Sequence, residues 1–73
     1  MVSMAIIGYG YWGPKLMRNF DETDEAHLAM CCDLTPQRLA QAKDRYPSLQ
    51  VTTDYDEVLN NPKVDAVVIS TPV

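Results

Sequence analysis

The chain has 73 residues, of which 47% are apolar and 22% charged, and its formal net charge is -4. This composition is typical of a globular protein, and the length allows one compact unit at most. The acidic balance excludes nucleic acid as a main partner, because no basic surface exists to displace counterions from a phosphate backbone. We find neither the roughly 18 to 20 apolar residues that span a bilayer nor a cleavable leader, so we expect a cytoplasmic protein with no membrane partner.

The first predicted elements are a strand and a helix. The apolar run at residues 4–7 is typical of a strand that is buried on both faces. Pro14 fits the first turn of a helix, where its missing N–H costs nothing, and we expect that helix to end near Asp21. The apolar stripe of this helix consists of Leu16, Met17 and Phe20. The acidic run DETDE that follows is predicted to be a solvated loop.

A second strand and helix follow. The sequence HLAMCCD, residues 27–33, predicts a strand in which Cys31 and Cys32 are buried and reduced, because a disulfide between neighbours would be strained. A metal site is not predicted, since His27 is the single histidine and lacks further ligands nearby. Thr35 is expected to cap the second helix and Pro36 to begin it, with Pro47 ending it. The predicted inward face carries Leu39, Ala42, Lys43 and Tyr46.

The last elements are two short strands around a third helix. LQVTT, residues 49–53, is a candidate strand, and DYDEVL begins a helix in which Asp54 and Glu57 are spaced as a capping pair. Its predicted inward residues are Tyr55, Val58 and Leu59. After the turn NNPK, the sequence VDAVVIS predicts a fourth strand with an apolar core at residues 66–69.

Strands that alternate with helices at this spacing predict parallel strands joined by right-handed crossovers. The predicted fold class is therefore α/β, a half Rossmann doubly wound parallel sheet in strand order 3-2-1-4 that is truncated after the fourth strand. We expect residues 1–73 to be the N-terminal part of a dinucleotide-binding domain, with the substrate domain absent. In this order only the third helix covers the second face, which leaves the fourth strand as an apolar edge, so we expect a homo-oligomer.

A glycine motif, G-x-G-x-x-G, lies where the first strand ends and the first helix begins. Gly8 permits a tight turn, Gly10 lets the backbone approach a pyrophosphate, and Gly13 lets the helix pack close to the sheet. Asp33 ends the second strand at the spacing of about 20 residues after the glycines that is typical of the acid binding the ribose hydroxyls. Its charge repels a 2′-phosphate, and the first arginine after it is Arg38, so NAD is favoured over NADP.

Several alternatives remain open at this point. Asp33 could serve only as a cap near the second helix, and the aromatics Tyr11 and Trp12 either contribute to the phosphate site or shield the edge of the core. An S-adenosylmethionine methyltransferase also uses a glycine-rich first turn and an acid after the second strand. A non-catalytic nucleotide-binding or folding module is a further alternative.

The segments GYGYWGP, CDLTPQRL and TTDYDEVLNNPKVDAVVISTP together resemble the N-terminal Rossmann segment of the Gfo/Idh/MocA family of sugar dehydrogenases. The resemblance covers essentially the whole chain. It implies an NAD-dependent oxidoreductase in which a hydride moves between the nicotinamide and a hydroxyl-bearing carbon of a sugar or nucleotide-sugar. It also implies that Ser70, Thr71 and Pro72 line the cofactor cleft, and we expect Leu34, next to Asp33, to contact the cofactor as well.

The same resemblance limits what this chain can do alone. The family's Lys-Pro motif and its downstream histidine, which supply the acid-base groups, find no match here, since Lys15, Lys43 and Lys63 do not lie in such a motif. We therefore assign no catalytic residue and expect the 73-residue chain by itself to be inactive.

Overall fold

Strands and helices alternate along the chain in the predicted order. The computed structural model describes residues 2–10 and 13–70. The elements are β1 (Val2–Ile7), α1 (Gly13–Asp21), β2 (Ala26–Cys32), α2 (Pro36–Arg45), β3 (Gln50–Thr52), α3 (Tyr55–Leu59) and β4 (Ala66–Ile69). Compared with the sequence prediction, β1 begins two residues earlier, at Val2, and β2 ends one residue before Asp33.

The four strands form one parallel sheet in the order β3-β2-β1-β4, which confirms the predicted topology. The central strand β1 pairs with β2 on one side and with β4 on the other. Ile6, for example, pairs with Cys31 of β2 and with Val68 of β4. The chain leaves β1 toward β2 and β3 and later returns to the opposite side of β1, so the strand order reverses between β1 and β4.

Two apolar clusters form on the two faces of the sheet. The first joins Ile6 and Cys31 to Met17 of α1 and Leu39 of α2. The second is smaller and holds five buried residues, Ala5, Ile7, Met30, Cys32 and Val58 of α3. Because alternate residues of a strand point to opposite faces, β1 and β2 each contribute residues to both clusters. Helices α1 and α2 therefore cover one face and α3 covers part of the other, as predicted.

The inward face of α3 differs from the sequence prediction. Val58 is buried, but the side chains of Tyr55 and Leu59 are 43% and 57% exposed. A helix of five residues makes little more than one turn, so it presents only one side chain to the sheet. In α2 the prediction was correct for Leu39 and Ala42, whereas Lys43 is exposed and its Nζ donates a 2.6 Å hydrogen bond to the carbonyl of Leu49.

The helix caps also differ in detail from the predicted ones. Thr35 occupies the N-cap position of α2, but its side chain makes no capping hydrogen bond. At α3, Asp54 caps as predicted, with its Oδ1 accepting a 2.9 Å hydrogen bond from the N–H of Asp56. The N–H of Asp54, which Glu57 would bind in a capping box, donates instead to Thr52 Oγ1 at 3.0 Å. The start of α3 is thus organised by Asp54 together with Thr52 at the end of β3.

Strand β4 is covered on one face only. Val68 packs against the larger cluster, while Val67 and Ile69 are 37% and 64% exposed. These two residues pair with Ala5 and Ile7 of β1, so they lie on the face that α3 covers in part. None of the three helices described could span a bilayer; the longest has 10 residues.

Candidate functional site

A cleft of about 450 Å³ lies at the carboxyl ends of the strands. The ends of β1, β2 and β4 form its floor, and the first turns of α2 and α3 form its sides. Its lining residues are Ile7, Gly8, Gly10, Cys32, Asp33, Leu34, Thr35, Arg38, Tyr55 and Ser70. The cleft includes the point between β1 and β4 where the strand order reverses, which is where ligands bind in open α/β sheets.

The three glycines have different surroundings. Gly8 has a φ of 91°, in the left-handed region that favours glycine, and its N–H donates a 2.7 Å hydrogen bond to the carbonyl of Cys32. At Gly13 a Cβ would lie 3.0 Å from the carbonyl oxygen of Gly8, so α1 begins in close contact with the loop after β1. At Gly10 a Cβ would meet only the Arg38 guanidinium, with its Nη1 at 3.5 Å. Gly10 therefore leaves its backbone accessible from the cleft.

Asp33 joins the loops that follow β1 and β2. Its Oδ2 accepts a 2.8 Å hydrogen bond from the N–H of Tyr9, and its Oδ1 accepts one of 2.8 Å from the N–H of Thr35. The guanidinium Nη1 of Arg38 lies 3.9 Å from Oδ2. Asp33 thus does organise the start of α2, as the alternative reading of the sequence suggested, and it also faces the cleft.

The environment of Asp33 keeps its carboxyl group ionised. Burial acts to raise the pKa of this carboxyl, but the N–H groups of Thr35 and Tyr9, the Arg38 charge and the N–H of Gly10 together hold the pKa below its usual value. A carboxylate has about four lone-pair positions, so hydrogen bonds to the backbone leave acceptor capacity that faces the cleft. Asp33 can therefore accept hydroxyl hydrogen bonds without first losing a proton.

The other predicted site residues divide into two groups. Ser70 lies at the cleft, where its N–H donates a 2.7 Å hydrogen bond to the carbonyl of Ile7, and Leu34 is 86% exposed at the cleft rim. Four further predicted contact residues, Tyr11, Trp12, Thr71 and Pro72, lie outside the described residues.

Sequence reasoning missed Tyr9, Thr35, Arg38 and Tyr55 as residues of the site. Tyr9 and Thr35 act through backbone N–H groups, for which side-chain identity gives no signal. Arg38 and Tyr55 lie in the first turns of α2 and α3. All first turns of crossover helices meet at the carboxyl edge of a parallel sheet, and this rule could have located both residues.

The two cysteines near the cleft are buried and have raised thiol pKa values, as is typical of cysteines that only pack in a core. Burial, followed by the charge of Asp33 and then Cys32, raises the pKa of the Cys31 thiol from 9.0 to about 12. Burial is also the main cause that raises the pKa of Cys32. Neither thiol therefore has the lowered pKa of a nucleophile or metal ligand. In residues 2–10 and 13–70, no group of three or more His, Cys, Asp or Glu side chains could hold a metal ion.

These observations fit a dinucleotide. The glycine loop offers an open backbone at Gly10, α1 begins beside it at Gly13, and a buried carboxylate at Asp33 faces the same cleft. The positive end of a helix dipole and open N–H groups favour the binding of phosphates, while a carboxylate accepts hydrogen bonds from ribose hydroxyls. The phosphate-binding features thus lie beside the ribose-binding acid, as the pyrophosphate lies beside the ribose in the adenosine half of a dinucleotide.

Known proteins that resemble this chain in sequence or fold are named as dehydrogenases. A curated relative, inositol 2-dehydrogenase 2 of Paenarthrobacter aurescens, is 36% identical over 70 residues, which is 94% of this chain and 20% of the relative. The solved scyllo-inositol dehydrogenase of Lactobacillus casei, with bound NAD(H) and scyllo-inositol, superposes with a TM-score of 0.85 at 26% identity, covering 99% of this chain and 22% of that one. The solved structure of a putative myo-inositol dehydrogenase of Sinorhizobium meliloti superposes with a TM-score of 0.90 at 26% identity. The match covers 99% of this chain and 21% of that one.

This chain spans about a fifth of the length of the curated relatives that it matches. The family model described as "Oxidoreductase family, NAD-binding Rossmann fold", that of the Gfo/Idh/MocA proteins, matches residues 2–73. The matched range contains the glycine loop, all four strands and the acid after β2. The chain belongs to the Gfo/Idh/MocA oxidoreductase family and carries its NAD-binding Rossmann fold.

Proposed function

We propose that the cleft at the carboxyl ends of β1, β2 and β4 binds NAD, with the adenosine half of the cofactor between the glycine loop and Asp33. The observation that carries this proposal is the joint position of Gly10 and Asp33 on one cleft, with open backbone at the first and an ionised carboxylate at the second. The family match supports the choice of ligand.

Each residue has a separate role in this proposal. Gly8, Gly10 and Gly13 shape a backbone that receives the pyrophosphate, with Tyr11 and Trp12 between them in the sequence. Asp33 accepts hydrogen bonds from the ribose hydroxyls, and Leu34 contacts the adenine from the rim. Ser70 contacts the nicotinamide half of the cofactor in this proposal, and the same role is proposed for Thr71 and Pro72, which follow it in the sequence. A bound NAD supplies a carbon that accepts or returns a hydride.

We propose that the parent enzyme moves this hydride to or from a hydroxyl-bearing carbon of a sugar or nucleotide-sugar, a class that includes inositols. The support comes from the three relatives described above, each of which is named as an inositol dehydrogenase. No lysine or histidine is among the described residues that line the cleft, so the acid-base group of the reaction is not assigned to them. In this proposal residues 1–73 are the N-terminal part of the cofactor-binding domain and have no turnover of their own.

We further propose that the chain acts in the cytoplasm and that it self-associates. Two adjacent reduced thiols, Cys31 and Cys32, are consistent with a reducing compartment. The exposed apolar side chains Val67 and Ile69 at the sheet edge support self-association of the chain.

Isothermal titration of the chain with NADH, NADPH and S-adenosylmethionine tests the proposed ligand. We expect NADH to bind more tightly than NADPH, because a 2′-phosphate would meet the Asp33 carboxylate, and we expect no binding of S-adenosylmethionine. Tighter binding of NADPH would contradict the proposed preference. Binding of S-adenosylmethionine alone would overturn the assignment to NAD.

A further inference from the structure

A second cavity, of about 280 Å³, lies at the edge of the sheet where the strands begin, opposite the cleft described above. Crossover helices run antiparallel to their strands, so α1 and α2 both end at this edge. The lining residues of this amino-edge cavity include Asp21, His27, Leu28, Arg45, Ser48 and Leu49. None of them lines the cleft at the carboxyl ends of the strands.

The amino-edge cavity has an apolar floor. Leu28 and Leu49 are buried members of the larger apolar cluster, and Tyr46, which also lines the cavity, packs against that cluster. Pockets for drug-sized ligands have volumes of about 300–1,000 Å³, so this cavity suits a smaller molecule. Contact with the floor favours a ligand that buries an apolar group of its own.

Two opposite charges line the same cavity. Asp21 is the last residue of α1 and Arg45 is the last residue of α2, and both side chains are exposed. Within residues 2–10 and 13–70 the two are not within ion-pair distance of each other, and neither side chain makes a hydrogen bond. The guanidinium donors and the carboxylate acceptors are therefore available to a ligand from opposite helix ends.

The pair of charges disfavours ligands with a single charge. A simple anion would meet Asp21 and the acidic run of residues 21–25, and a simple amine would meet Arg45. A zwitterion satisfies both groups, because a carboxylate matches the planar donors of arginine and an ammonium donates to a carboxylate.

We propose that the amino-edge cavity binds a free α-amino acid with an apolar side chain. The carboxylate of the ligand contacts Arg45, its ammonium group contacts Asp21, and its side chain packs on Leu28 and Leu49. This site is separate from the proposed NAD site, and a ligand there leaves the cofactor cleft open.

The test is a titration of the chain with L-leucine, followed by nuclear magnetic resonance of the backbone amides. We expect a Kd of about 1 mM, because the two charges are exposed and solvent screens them. The amide signals of Leu28, Ser48 and Leu49 should shift, and those of Gly8 and Gly10 should not. Isocaproate lacks the ammonium group, L-leucinamide lacks the carboxylate and glycine lacks the apolar side chain, so each should bind more weakly than L-leucine.

Two variants assign the charges separately. Asp21→Asn should raise the Kd for L-leucine about fivefold, the upper end of what an exposed ion pair contributes, without weakening isocaproate. Arg45→Gln should weaken L-leucine and isocaproate by a similar factor without weakening L-leucinamide. Both positions are exposed, so we expect both variants to fold, and circular dichroism checks this.

The matched controls are Asp44→Asn and Arg18→Gln, which remove the same charges from exposed positions of α2 and α1 outside the cavity. Both should leave the Kd for L-leucine unchanged. Equal weakening by the controls would reduce the effect to net charge and overturn the site. The proposal is also overturned if L-leucine shifts no cavity amide far above the expected Kd, or if it shifts those of Gly8 and Gly10 instead. Binding of NADH is measured on the same samples, and its loss or presence leaves the amino-edge cavity unaffected.

Discussion

The carbonyl oxygen of Gly8 lies 3.0 Å from the position that a Cβ on Gly13 would occupy. The turn after β1 and the first residue of α1 are therefore in direct backbone contact, and any side chain at position 13 must displace the loop. Gly10, between them, has only the end of the flexible Arg38 side chain nearby. The three glycines thus have unequal effects on folding, and their effects on ligand binding can be separated.

We expect Gly13→Ala to lower the free energy of unfolding by about 1–3 kcal/mol, the usual cost of overpacking. The new methyl group would press on the Gly8 carbonyl and on the Tyr9 ring, whose Cδ1 lies 3.4 Å away. Urea unfolding followed by circular dichroism measures the change. Gly10→Ala is the control, because its methyl group would make only ordinary contacts. Equal stability of the two variants would show that the close approach is relieved without cost.

We expect Gly10→Val to remove dinucleotide binding while leaving most of the stability. The isopropyl group would enter the space proposed for the pyrophosphate, whereas its nearest protein neighbour is the half-exposed Arg38 side chain. Val at position 10 should not strain the backbone, because among the described glycines the one with a positive φ is Gly8 and not Gly10. A circular dichroism melt paired with NADH titration checks both quantities. Parallel loss of folding and binding would mean that Gly10 serves the fold alone.

We expect the stability of the chain to fall in acid through Asp33. The folded-state pKa of this carboxyl lies below its ordinary value of 3.8, so the unfolded chain takes up the proton first as the pH falls. The stabilisation is complete above pH 3.8 and is lost as the pH decreases through the folded-state pKa. Asp33→Asn should flatten the dependence of unfolding free energy on pH in this window.

Urea unfolding at several values between about pH 2.5 and pH 5 measures this slope. Asp44→Asn, which alters an exposed acid on α2, is the control and should retain the wild-type slope. At neutral pH, Asp33→Asn should also cost about 1–3 kcal/mol, because an amide cannot accept from both the Tyr9 and Thr35 N–H groups. A wild-type slope in Asp33→Asn would contradict the prediction.

We expect both cysteine thiols to be almost inert in the folded chain. Cys31 and Cys32 are 0% and 3% exposed, and burial raises the pKa of Cys31 to about 12, so little reactive thiolate is present at neutral pH. Ellman's reagent should modify them at the rate at which the chain unfolds, and at once in concentrated urea. Fast modification of the folded chain would show that the strand β2 opens locally.

We expect the chain to self-associate through the uncovered part of the β4 face. Val67 and Ile69 expose apolar surface there, and a further apolar side chain, Leu59, is exposed on α3. Ile69→Glu should shift the oligomer toward monomer in light scattering across a dilution series, because a charge opposes burial. Val2→Glu, at an exposed site at the start of β1, is the control. A wild-type chain that stays a folded monomer at micromolar concentration would disprove the prediction.

The sequence by itself determined the order and type of the elements and the residues that shape the glycine loop. Branched apolar runs, Pro14 and Pro36 at helix starts, and Gly8 at a positive φ are local features, and local conformational preference acts on them in any context. The acid at position 33 was identified from spacing alone. The predicted order of the elements was confirmed because it depends on the periodicity of single segments, whereas the role of Asp33 at the ribose stays a prediction.

Only the tertiary structure decided what Asp33 binds and which side chains share its cleft. The hydrogen bond from the Tyr9 N–H to Asp33 joins residues 24 positions apart, and it exists because β1 and β2 are parallel neighbours whose ends meet at one edge. The same edge brings Arg38 beside Gly10, while the shortness of α3 leaves Tyr55 at the cleft rather than in the core. Contacts between segments depend on how the crossovers pack, and no local pattern in the sequence encodes that packing.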